Sequence, residues 1–210
     1  MVISNVEAFL VAITILTLTP GLDTALVVRN SSRGGFTDGA LTSLGICLGL
    51  FVHATFSAVG ISALLAQSAE LFSVVKLIGA AYLIWLGLST LMSLWRGELS
   101  SGLNVDATTH RFDAKRSLRE GFLSNVLNPK TAVFYLAFLP QFINPEGSAL
   151  VQSFLMAAIH FVIAMVWQCG LAGLLNSAKN LLKSSVFMTR MEATTGAVLV
   201  ALGIKLLVEE

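Results

Sequence analysis

Long apolar runs alternate with short polar connections along this chain, and the runs predict helices at about 4–28, 39–66, 71–95, 117–142, 148–175 and 187–208. A spanning helix takes roughly 20 residues, so each run is long enough to cross a bilayer. Two of the six runs are broken. In Thr17-Leu-Thr-Pro-Gly-Leu-Asp-Thr24, Pro20 removes a backbone donor and Gly21 lets the chain bend, and the ionisable Asp23 follows at once. The fourth run breaks at Pro129, next to Lys130. A break and a charge inside a membrane segment both cost stability, and together they point to discontinuous helices that line a transport site.

The halves repeat. Pro20 to Gly39 spans 19 residues and Pro129 to Gly147 spans 18; Gly39 to His53 spans 14 and Gly147 to His160 spans 13. The third and sixth helices each carry a glycine pair, Gly79 with Gly87 and Gly196 with Gly203. With three helices per half, the second copy must be inserted upside down. The expected fold is therefore a single all-α membrane domain over 1–210, built as inverted three-helix repeats at 1–95 and 117–210 with a flexible linker at 96–116.

Composition agrees: 55% of the 210 residues are hydrophobic, 12% are charged, and the mean hydropathy is +0.81. The formal charge of +1 gives no reason to expect a nucleic-acid partner. Its distribution gives the orientation, because ten of the thirteen Lys and Arg residues fall in the connections after helices 1, 3 and 5. That side is expected to be cytoplasmic, with both termini outside. The first Lys or Arg is Arg29, so the first run is expected to stay as a helix rather than be cleaved as a signal peptide. Lys76 and Lys205 are expected to snorkel, Trp95 to sit in an interfacial belt, and His110 to be solvated.

The candidate chemistry is small. At about 1.5 Å per residue, Asp23 falls past the middle towards the cytoplasm and Asn128-Pro129-Lys130 falls near the midplane. Asp23 reads either as an N-cap accepting from Ala25 or Leu26, or as part of an ion site. Lys130 is placed either to act or to pair with an internal carboxylate such as Asp23. Thr24, Asn125 and Asn128 join them as candidate substrate or ion ligands, on polar stripes that also read as interhelical glue. Asp23, His53 and His160 are candidate proton carriers, the histidines having interhelical hydrogen bonding as their alternative. Gly45-Ile-Cys-Leu-Gly49 signals close packing within or between subunits, and such small-residue faces permit a homodimer. Cys47 and Cys169 lack metal spacing, and no P-loop, HExxH or GxSxG motif is present. No catalytic residue, metal or cofactor is expected, and the reading is a transporter rather than an enzyme.

Four stretches carry a resemblance: Thr19-Pro-Gly-Leu-Asp-Thr24, Lys76-Leu-Ile-Gly-Ala-Ala-Tyr-Leu-Ile-Trp-Leu-Gly87, Gly121-Phe-Leu-Ser-Asn-Val-Leu-Asn-Pro-Lys-Thr-Ala132 and Phe138-Leu-Pro-Gln-Phe142. Through them the chain resembles the bacterial lysine and homoserine/threonine exporter family (LysE/RhtB), nearly end to end. The first motif departs from the family's Pro-Gly-Pro-Asp at Leu22. The resemblance implies proton-driven export of amino acids or close derivatives across the bacterial inner membrane, and it adds weight to Asp23, Asn128, Pro129 and Lys130. Two rivals stay open. A membrane thiol carrier would use Cys47 and Cys169, although their offsets from His53 and His160 do not match. A metal-cation exporter would need several converging carboxylates or thiolates.

Overall fold

The computed structural model describes residues 4–19, 21–96, 112–174 and 184–208. These form α1 (Val6–Leu18), α2 (Leu22–Gln67), α3 (Ala69–Trp95), α4 (Ala114–Val126), α5 (Pro129–Phe138) with a 3-10 turn over Leu139–Phe142, α6 (Ala149–Gly173) and α7 (Ser185–Val208). Pro20, His110 and most of the expected linker lie outside the described residues. The linker's last residues do not hold as linker: α4 already begins at Ala114, capped by the Asp113 carboxylate on the N–H groups of Lys115 and Arg116.

Four described segments are long and apolar enough to cross a membrane, within α2, α3, α6 and α7, where six runs were expected. The α1 helix has 13 residues, and the fourth run is split into pieces of 13 and 10. Exposed apolar side chains such as Phe56, Ile78, Trp85 and Val166 clothe the long helices, which suits lipid as solvent.

One boundary is corrected. A loop was expected between residues 28 and 39, but helix runs through it except at Gly34 and Gly35. Gly35 has φ +75°, a conformation that strains any side chain, and this pair bends α2. The stretch Arg29-Asn-Ser-Ser-Arg33 looks like a surface loop because it is polar. Asn30 and Arg33 are instead turned into the protein and bonded there, while Arg29 stays exposed. Asn30 donates to Thr42 Oγ1 (2.9 Å) and to Glu120 Oε2 (2.9 Å), and Arg33 grips fully buried Asp38 through Nε and Nη2, each at 3.0 Å. Ser117 of α4 adds a third bond to Asp38 at 2.5 Å, and Arg29 reaches Glu120 at 3.0 Å. Asp38 is therefore the hub of an ion cluster.

Packing follows the glycines. A Cβ on Gly45 would strike the carbonyl of Leu118, and one on Gly121 would strike the carbonyl of Thr42, so α2 and α4 meet backbone to backbone. Gly87 and Gly196 do the same between α3 and α7, where Gly203 also lies against the Ala80 carbonyl. The Gly45–Gly49 motif is thus used inside the subunit. In lipid this close approach, not water exclusion, holds helices together. The principal helix pairs are α2 with α4, α2 with α6, and α3 with α7. Between them an aromatic file, Phe134, Phe138, Phe142 and Phe9, packs at centroid distances of 4.4, 4.6 and 5.5 Å.

Candidate functional site

The two breaks in the helices face each other. After α1 the backbone is extended at Thr19 (ψ 119°) and a new helix starts at Leu22. On the other side α4 ends at Val126 and α5 begins at Pro129, where the missing N–H of proline has no intrahelical partner to lose. Asn128 caps α5 by accepting from the Lys130 N–H at 3.0 Å.

Asp23 is in the first turn of α2, but it does not cap that helix as one reading expected. The Ala25 N–H already bonds to the Gly21 carbonyl at 2.9 Å. This frees the Asp23 carboxylate to reach across to the other break, where it accepts from Ser124 Oγ (3.1 Å), Asn125 Nδ2 (2.9 Å) and Asn128 Nδ2 (3.4 Å). All three donors are neutral, so the negative charge is oriented but not neutralised. These bonds also place Asp23 level with Asn125 and Asn128, not deeper towards one surface. The uniform-rise argument fails because it takes both helices as upright and unbroken.

Asp23 lines a cavity of about 340 Å³, within the range of small-molecule sites, together with Thr24, Asn125, Asn128, Lys130 and His160. Gly21 opens onto it, and a Cβ there would meet nothing within 4 Å. Lys130 makes no ion pair within 4.0 Å among the described residues; the carboxylates acting on its charge are Asp23 and Glu192. The alternative of a direct Asp23–Lys130 pair is therefore not what the structure holds. Leu16, Ile46, Leu50, Ala164 and Met188 supply apolar wall, and Thr17, Thr131 and Gln168 supply further polar groups.

The two histidines differ. His160 is on the cavity wall, and its Nδ1 is hydrogen-bonded to the Tyr135 hydroxyl at 3.0 Å. His53 is not among the lining residues. Its Nε2 donates to the Asn125 carbonyl at 2.9 Å, an oxygen that also accepts from the Asn128 N–H at 2.9 Å where α4 ends. Both rings lie near Tyr135, at centroid distances of 5.8 and 5.9 Å. Sequence reading passed over Tyr135, Gln168 and Glu192. The signal was present as single polar groups inside long apolar helices, each of which needs a partner or a use.

Cys47 is fully buried and Cys169 partly so; both are free, and neither lines the cavity. Among the described residues no group of three or more His, Cys, Asp or Glu is placed to hold a metal ion.

The model of the LysE type translocator family matches residues 14–210. The chain is 35% identical to the uncharacterized membrane protein YrhP of Bacillus subtilis over 202 residues, covering 94% of this chain and 96% of the relative. It is 32% identical to an uncharacterized membrane protein of Vibrio cholerae, over 95% of this chain and 94% of that one. To the homoserine/homoserine lactone efflux protein of Salmonella typhi it is 30% identical, over 93% and 92% of the two chains. No solved structure matches the chain.

Proposed function

Because this chain belongs to the LysE type translocator family, we propose that it exports a small amino acid or a close derivative from the cytoplasm, by proton antiport and alternating access. The relatives described as homoserine/homoserine lactone efflux proteins support the direction and the cargo class. One observation carries the site assignment: an oriented carboxylate and an ammonium with no ion pair line the same cavity. Opposite charges held apart in a shared space suit a zwitterion, whose ammonium goes to Asp23 and whose carboxylate goes to Lys130.

The architecture proposed is six spans in two inverted repeats, broken at Pro20 and Pro129, in the bacterial inner membrane with both termini outside. Support comes from helix pairing, since matching elements of the two halves lie together: α2 with α6, and α3 with α7. His53 and His160 occupy matching positions and approach Tyr135 from α2 and α6. Of the proton candidates, Asp23 and His160 line the cavity, whereas His53 holds the α4 end in place. Protonation of Asp23 would release the ammonium and so link export to the gradient.

The test is efflux from cells overexpressing the protein. Asp23→Asn and Lys130→Ala should each abolish export of the rescued amino acid while the protein stays folded in the membrane. Near-normal efflux from both variants would sink the assignment. A Cys47→Ala/Cys169→Ala variant that keeps full efflux excludes the thiol carrier.

A further inference from the structure

Resting on the amino-acid reading above, the site also contains a group that the two charges of the cargo leave unused. Along α6, His160, Ala164 and Gln168 lie at i, i+4 and i+8 on one face, and all three line the cavity. Gln168 is about 12 Å along the helix from His160, and apolar Ala164 and Met188 line the same cavity. It is 6% exposed, and its Oε1 is buried with no hydrogen-bond partner among the described residues. A buried amide oxygen in an apolar helix that bonds to nothing is costly, and the residue that carries it is one of those lining the cavity.

The charged side chains lining the cavity are Asp23 and Lys130. In a zwitterion these are occupied by the backbone ammonium and carboxylate. Among the described residues no further carboxylate or cation lines the cavity, Glu192 acting on Lys130 from outside the lining, so a basic or acidic amino acid would bring an unpaired charge into the site. What remains is an amide that offers both an acceptor and a donor, beside apolar wall. We propose that Gln168 is the residue that reads the side chain of the cargo, and that the cargo is a neutral amino acid whose side chain carries a hydroxyl or an amide. An apolar isostere would leave Gln168 unpaired, and this asymmetry discriminates more strongly than a difference in shape.

The experiment compares matched pairs that differ by a hydroxyl in place of a methyl group: L-threonine with L-valine, and L-homoserine with L-norvaline. Uptake of each labelled compound is measured in everted membrane vesicles containing the wild-type protein, Gln168→Met, which keeps length and helix preference, or Gln168→Glu, which keeps an acceptor. The wild type should favour the hydroxylated member of at least one pair by about tenfold or more, and Gln168→Met should bring that ratio close to one by slowing the hydroxylated compound. Gln168→Glu should retain part of the preference. An unchanged ratio in Gln168→Met, or an equal fall for both members of the pair, overturns the role of Gln168. If wild-type vesicles take up basic or acidic amino acids in preference, the neutral-cargo claim falls while amino-acid export stands. If they take up no amino acid at all, the export reading itself fails.

Discussion

Two groups of charges each include acids of the same helix, α2, and they are treated in opposite ways. At its bend, Arg33, Asp38, Arg29 and Glu120 are cross-linked through Ser117 and Asn30, with Asp38 fully buried and bound by three donors. At its N-terminus Asp23 is bound, among the described residues, by neutral donors alone, and Lys130 across the same cavity has no ion pair with any of them. The bend cluster completes its own electrostatics, so its work is to tie α2 to the start of α4. The cavity charges are held in position and left for something else to complete. On the proposed reading, pairing separates structural charge from functional charge more clearly than burial does, since Asp38 is the more buried acid.

Asp23→Asn is the sharpest way to break this contrast. It should lower efflux by at least about a hundredfold, because it removes a charge-assisted contact to the cargo. It should leave the melting temperature in detergent within a few degrees of wild type, as no cation is stranded. Next comes Asp38→Ala, which removes both 3.0 Å contacts of buried Arg33 and leaves it only Glu120 at 3.5 Å; it should lower stability by about 3 kcal/mol, read as loss of monodisperse protein and a lower melting temperature. An Arg33→Met/Asp38→Leu double variant should recover most of that stability, and with it efflux. If it folds but does not transport, the cluster belongs with the functional charges after all. Gly121→Val should cost about 1–3 kcal/mol by forcing α4 off the Thr42 carbonyl, with efflux falling only as far as folded protein does. Smallest is Thr19→Val. It removes the hydroxyl contact between the first break and Thr195 of α7, and about 0.6 kcal/mol should show as a small shift in melting temperature.

Much of the site could be read from residue order, because proline, glycine and buried charge act locally. Pro129 predicts a helix start, and Asn128 before it is the cap. Asp23 beside a glycine invites a capping reading, and only tertiary contacts show that its carboxylate turns to α4 instead. The bend cluster was not legible. Arg29 to Asp38 has the composition of a loop, and the partners that make it helical, Ser117 and Glu120, are roughly 80 residues away in the chain. Tyr135 and Gln168 were missed for a related reason. In a membrane helix an isolated polar residue carries no periodicity, so nothing in the order of residues says which face it takes.

The central claim is that Asp23 and Lys130 read the two charges of one amino acid. The most direct test is transport by purified protein in proteoliposomes of L-homoserine against its decarboxylated amine, 3-amino-1-propanol, in the wild type and in Lys130→Ala. The account predicts that the wild type prefers the zwitterion by roughly tenfold to a hundredfold and that Lys130→Ala loses this preference. The same preference in both proteins would contradict it.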